Sequence, residues 1–287
     1  MDRILTLKQY KDILIKAKSN GFVLSNCFFL AAELNRKIGE GTFLFKPIQN
    51  GLLLLDDLGD FYRCYYFLSS KDEPGEIQLD KDAVIELPFN STLNGKQLLQ
   101  VDKIKTMGFC LGRESGMMWS DPKKIITCDY SQQDKICCLA EEKDAKQVLA
   151  LMTSCFNPLY AFLPSMNELC SFVKEGRVLV IRDGMNIAAA LISGFEKRIA
   201  TIRHVAVDPD YRGKDYGKVL LNTYHNKYKD IAASFQHWVD LNNTVAISMY
   251  RNFGYEFNLR KANEYIFIVK EKQNERKINC IVRGHQT

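Results

Sequence analysis

A chain of 287 residues, 46% hydrophobic and 25% charged, has enough apolar material for a real core in one large domain or two ordinary ones. Its formal net charge of +5 is spread along the chain, which suits an anionic ligand and is too weak to indicate nucleic-acid binding. No apolar run approaches the ~20 residues of a membrane span, and the charged, amphipathic N-terminus lacks the pattern of a signal peptide. Nine cysteines without CxxC pairs and four scattered histidines point to reduced thiols, a cytoplasmic setting and no metal site.

Helices are predicted at about 7–19 and 26–38, after which Gly39 and Gly41 break the pattern. The runs "TFLFKPI", "GLLLLDDLG" and "FYRCYYFLSS" read as strands, and "KDEPGEIQLDKD" as a polar connector. "AVIELPF" follows as a buried strand, "NGKQLLQVDKIKTMGF" as a helix and "CLGRESGMMW" as a strand. The proline-containing "SDPKK" starts a linker placed at 121–134.

The second half restarts with the strand "KICCLA", then a helix with acidic residues in its first turn and a second helix ended by Gly176. "RVLVIRDGMNIAAALISGF" reads as a hairpin turning at Asp183-Gly184, and "ATIRHVAVDP" as a strand stopped by Pro209. A helix to about Tyr228, the strand "ASFQHWVDL", the helix "NTVAISMYRNFG" and the strands "YEFNL" and "EYIFIVK" complete an α/β domain at 135–270. The basic tail 271–287 holds at most one short strand, "INCIV". Segments 103–118 and 249–266 both run helix, Gly-aromatic, strand, each with an arginine beyond the glycine (Arg113 and Arg260), which suggests two related domains.

Two clusters carry chemistry. In "DPDYRGKDYGKVLL" a strand ends at Pro209, and Arg212, Gly213 and Gly217 flank a helix start. Free N–H groups there suit a phosphate, with Lys214 and Lys218 adding charge. An ordinary strand–turn–helix connection with a solvated basic face is the alternative. In "NNTVAISMYRNFGY", Asn243 can cap a helix, and Ala246 and Tyr250 share one of its faces. Tyr250 could donate a phenolic proton to a leaving group, or simply pack on the sheet.

Together, residues 135–270 resemble a GNAT (GCN5-related N-acetyltransferase) domain, an α/β fold with a mixed sheet. "VAVDPDYRGKDYGKVLL" is similar to its acetyl-CoA pyrophosphate segment and "NNTVAISMYRNFGY" to its later N-x-x-A-x-x-x-Y segment. The resemblance implies acetyl-CoA as co-substrate, with backbone donors from Gly213, Lys214, Asp215, Tyr216, Gly217 and Lys218 beside Arg212. It also implies that Val205, Ala206 and Val207 pair with the pantetheine arm, that Asn243 and Ala246 form the opposite wall, and that Tyr250 protonates the departing thiolate. The glutamate that many relatives use as base falls near Thr201, leaving His204, His237, a bound water or a residue of the first half. His204 could equally be packed against a helix.

The acceptor implied is a small-molecule or peptide amine, with neither nucleic acid nor membrane as partner. Residues 1–120 read as a degenerate, smaller α/β GNAT-like domain, with no phosphate loop and Ile104 where Tyr250 would stand. A non-catalytic acyl-CoA-binding module and a transferase using an aminoacyl-tRNA donor remain as other readings. The aromatic run 61–67 is either a stacking surface or an alternating half-buried strand.

Overall fold

The computed structural model describes residues 1–29, 31–127 and 136–269. The tail at 271–287, its "INCIV" strand and the second half of the expected linker lie outside the described residues. The chain divides into one unit of Met1–Glu114 with Lys261–Thr287 and a second of Ser115–Arg260. These boundaries cut through two strands rather than falling in the polar "SDPKK" stretch.

In the first unit, α1 (Leu7–Ser19) starts where the Thr6 side chain accepts from the Gln9 N–H. The order continues through β2 (Phe22–Ser25), α2 (Ala31–Glu40), β3 (Phe43–Ile48), β4 (Gly51–Asp57), β5 (Phe61–Ser69), β6 (Asp82–Asn90), α3 (Gly95–Thr106) and β7 (Cys110–Ser120), with a two-residue β1 at Asp2–Arg3. Strands β3, β4 and β5 are antiparallel neighbours, whereas β5 and β6 run parallel. The helix expected at 26–38 begins later, because residues 22–25 form β2. Four residues without clear alternation carry too little pattern to mark a strand.

The parallel pair β5–β6 is joined only over Phe61–Arg63 and Asp82–Val84, and β2 occupies the edge of β5 beyond that point, at Phe67–Ser69. Asn26 bridges the diverging strands. Its Oδ1 accepts from Tyr66 N–H at 2.9 Å, and its Nδ2 donates to the carbonyls of Cys64 and Glu86 at 3.5 and 3.1 Å. The gap between these strands is therefore filled by the chain itself. The run 61–67 is an alternating strand, with Tyr62, Cys64 and Tyr66 in the core on the α3 side.

The second unit runs β8 (Cys137–Leu139), α4 (Ala145–Cys155), a short α5 (Pro158–Ala161), α6 (Met166–Lys174), β9 (Val178–Asp183), β10 (Asn186–Glu196), β11 (Ile199–Val207), α7 (Tyr216–Tyr228), β12 (Ser234–Asp240), α8 (Thr244–Asn252) and β13 (Glu256–Phe267). The two closing strands expected after α8 are one continuous strand. The β9–β10 hairpin turns at Gly184-Met185, one residue later than expected, with Gly184 at φ +60° in the first turn position, where glycine is favoured. Its sheet runs β8-β9-β10-β11-β12, then residues 115–120 of β7 and 256–260 of β13. One face carries a core with α7 and α8, around Val219, Tyr224, Phe235 and Tyr250. The other packs on α4 and α6, around Val148, Leu169 and Ile192.

The two units share one plan: helices, three antiparallel strands, a parallel crossover, a helix and a strand. The first unit lacks any helix between its parallel strands, where the second has α7. Among the described residues no helix is long and apolar enough to cross a membrane.

Asn26→Ala would strand one donor and two acceptors in a buried position, at a cost of about 2–3 kcal/mol. Urea unfolding of the first unit should shift accordingly; an unchanged midpoint would show that Asn26 does not hold the strands together.

Candidate functional site

The site of the second unit begins at an irregularity in β11. Its register with β10 runs Val207–His204 against Ala189–Ile192, then resumes at Ile202 against Ser193, leaving Arg203 as a bulged residue. A bulge reverses the facing of everything beyond it. Ala200 and Ile202 pack in the α7–α8 core, and so do Val205 and Val207 after the reversal. His204 and Ala206 are turned to the α4–α6 face.

The parallel pairing of β11 with β12 covers only Ile199–Ile202 against Ser234–His237. Beyond it, residues 203–207 present an edge to which β12 no longer bonds. Here, unlike in the first unit, no strand among the described residues is paired to that edge.

The loop after β11 opens with a single 3-10 turn, Pro209–Tyr211, capped by Asp208. Gly213 takes φ +79° and Asp215 φ +57°, and α7 starts at Tyr216. Among the described residues, no hydrogen bond uses the N–H groups of Gly213, Lys214, Asp215, Tyr216 or Gly217; the first helical donors to be satisfied are Lys218 and Val219, both on the Asp215 carbonyl. Five successive free donors at a helix N-terminus form an anion cradle.

Asp215 does not fill that cradle. Its side chain makes no cap hydrogen bond and instead pairs with Lys218 at 2.8 Å. Its cost is conformational: a left-handed backbone is a position where glycine is unstrained. Arg212, Gly213, Lys214 and Asp215 are exposed, while Tyr216, Gly217 and Lys218 are half-buried. A Cβ on Gly217 would meet Met249 Sδ at 3.3 Å and Val207 Cγ2 at 3.8 Å, so glycine permits the close approach of α7 to α8 and β11.

On α8, the Asn243 side chain accepts from the Ala246 N–H at 3.0 Å. Ala246 and Met249 are half-buried, and Tyr250 is 7% exposed. The Tyr250 ring lies 3.7 Å from the His237 ring, centroid to centroid, and 5.8 Å from that of Tyr255. Burial raises the Tyr250 phenol well above its ordinary range, so it stays protonated.

The two candidate bases differ. His204 Nε2 lies 2.5 Å from the Ala161 carbonyl and its ring meets Phe156 edge-on, which ties the α5 segment to the sheet. Burial lowers its pKa, with the Ala161 contact opposing and Arg203 adding to the fall. His237 is buried on the Tyr250 side, and neither ring nitrogen has a hydrogen-bond partner among the described residues. Burial, with His225 nearby, pushes it down to about 3, and His225, hydrogen-bonded to Tyr255 at 2.8 Å, is likewise pushed to about 3. The Arg203 bulge and the His225–Tyr255 pair were not foreseen, since neither leaves a spacing signal.

An open parallel edge, a run of unbonded N–H groups and a buried phenol on a neighbouring helix thus belong to one α/β unit. Residues 174–257 match the family model described as "Acetyltransferase (GNAT) domain", so the second unit carries a GNAT domain. A structure titled as a GCN5-related glucosamine N-acetyltransferase region of a fungal multi-domain GH3 β-N-acetylglucosaminidase matches at TM-score 0.55 and 13% identity, over 76% of this chain and 31% of that one. An X-ray structure of a Drosophila protein matches at TM-score 0.51 and 14% identity, over 77% of this chain and 75% of that one. At such identities these likenesses show the fold, over a share of the chain larger than the second unit alone. No curated protein matches in sequence. Among the described residues no group of three or more His, Cys, Asp or Glu could hold a metal ion.

Asp215→Gly should bind acetyl-CoA as tightly as the parent or more tightly, in calorimetric titration, because it removes both strain and negative charge from the cradle. Clearly weaker binding would mean that Asp215 organises the loop. A second expectation concerns pH. The folded pKa values of His225 and His237 lie below the unfolded ~6.5, so the unfolded chain binds more protons and stability falls as pH drops from about 6.5 toward 3. The slope is about 1.4 kcal/mol per pH unit per histidine, and His237→Leu should remove one histidine's share of it in urea unfolding between pH 6.5 and 4.5.

Proposed function

We propose that the second unit is an acyl-CoA-dependent N-acyltransferase that moves an acetyl group to a primary amine by direct attack in a ternary complex. The observation that carries this reading is the run of five unbonded N–H groups at 213–217, set beside the unpaired edge of β11. Acetyl-CoA would bring the acyl group already activated as a thioester.

Residues 213–217 would hold its pyrophosphate through backbone donors, with Arg212, Lys214 and Lys218 adding charge. The edge at Val205, Ala206 and Val207 would hydrogen-bond the pantetheine arm in the manner of an added strand. Asn243 and Ala246 would line the opposite wall. A backbone N–H of that edge would polarise the thioester oxygen, and Tyr250 would give its proton to the departing sulfur. Burial keeps the phenol protonated, the form a general acid needs, while weakening its acidity.

Neither histidine is assigned as base. His204 is tied to the Ala161 carbonyl, and His237, pushed to about 3, is a poor proton acceptor. The amine is proposed to lose its proton to water. The acceptor is a small-molecule or peptide amine in a cytoplasmic setting, without nucleic acid or membrane. The first unit, its strand gap filled by β2 and Asn26, takes no acyl-CoA in this reading.

Tyr250→Phe keeps the packed ring and removes the proton. Acetyl-CoA-dependent thiol release with an accepted amine should fall roughly 10²- to 10⁴-fold, with acetyl-CoA binding retained. Unchanged turnover would remove Tyr250 from the mechanism.

A further inference from the structure

On the sheet face away from Tyr250, the second unit presents cations that the transfer chemistry above does not use. Arg203, the bulged residue of β11, follows Ile202, the last residue bonded to β12, and so stands where the open edge begins. Its guanidinium lies 5.2 Å from the Phe172 ring centroid, and that of Arg177 lies 4.2 Å from the same ring. The two groups converge over Gly194 of β10. A Cβ added there would lie 3.6 Å from Arg177 Nη2, 3.6 Å from Arg203 Nε and 2.5 Å from Thr201 Oγ1. Thr201 Oγ1 and the two guanidinium groups occupy the space a side chain at Gly194 would need, so the glycine lets them close in on one point.

Like charges this close repel, and the protein compensates them unequally. Arg177 Nε donates to the Ser193 carbonyl at 3.0 Å, and its Nη1 pairs with Glu175 at 2.8 Å. Arg203 makes no hydrogen bond or ion pair among the described residues. Glu168 attracts it at longer range, but that carboxylate caps α6 through the Ser165 N–H and hydroxyl at 2.9 and 3.0 Å. Arg203 keeps an exposed edge. Desolvation of its guanidinium, followed by the neighbouring Arg177, lowers its pKa. An anion on the exposed side of Arg203, beside Arg177, would relieve the repulsion, and a planar guanidinium fork matches carboxylate and phosphate oxygens in paired hydrogen bonds.

We propose that Arg203 and Arg177, over Gly194 and beside Thr201, bind an anionic group of the acceptor, which is therefore an amine carrying a carboxylate or a phosphate ester. This rests on reading the unit as an N-acyltransferase. An acceptor anchored at Arg203 has its nitrogen within a few residues' length of the edge at 205–207, at about 3.3 Å per residue of strand.

The test measures, on the full chain with coenzyme A present, binding of N-acetylphenylalanine against N-acetylphenylalaninamide and of N-acetylphosphoethanolamine against N-acetylethanolamine. Turnover of the parent amines is followed in parallel. One charged compound should bind at least about tenfold more tightly than its neutral counterpart, a factor worth about 1.4 kcal/mol. The pair that shows the preference separates carboxylate from phosphate. Arg203→Gln should lose most of the preference while binding coenzyme A as before. If neither charged compound is preferred, or the preference survives in Arg203→Gln, the proposal is overturned. A preference that Arg203→Gln abolishes, without thiol release from any amine, would uphold the anion site and sink the transferase reading instead.

Discussion

Everything distinctive about the second unit depends on four residue pairs of parallel β-ladder. Strands β11 and β12 bond at Ile199–Ile202 and then separate, and the separation coincides with the extra residue at Arg203. Backbone groups left unpaired inside a protein are costly, so an edge of this kind needs a partner. The nearby loop offers five more unpaired donors at the start of α7. Both features leave the same kind of group, the peptide N–H, without a backbone partner among the described residues.

The first unit meets the same constraint differently. Its parallel pair also separates after three residues, but β2 covers the exposed edge of β5 and Asn26 bridges the backbones of β5 and β6. With no helix between β5 and β6, it also lacks the N-terminus that would hold a phosphate. One plan thus exists in a filled and an open form within one chain.

Burial decides the protonation states around the open form. Tyr250, Tyr255, His225 and His237 pack together with few polar partners, and desolvation penalises every charged state among them. The phenol keeps its proton and the imidazoles stay neutral. His237 is thus a neutral packing partner of the Tyr250 ring. On the opposite face, Arg203 and Arg177 remain charged against a common aromatic ring.

Local signals in the sequence determined most of the elements and the location of the cradle. Thr6 and Asn94 cap α1 and α3, Pro209 stops β11, and Gly213 takes the left-handed turn that only a residue without Cβ adopts freely. That the Arg212–Gly217 loop goes with Asn243, Ala246 and Tyr250 came from the resemblance to the GNAT motifs, and Gly217 does pack against Met249 on the helix of Ala246 and Tyr250. Tertiary structure alone decided what depends on register. One bulged residue put Val205 and Val207 on the same face as Ala200 and Ile202, a four-residue strand closed the first unit's gap, and Gly194 brought Arg177 and Arg203 together from separate elements. A one-residue shift reverses every side chain beyond it, and no composition or spacing along the chain records that shift.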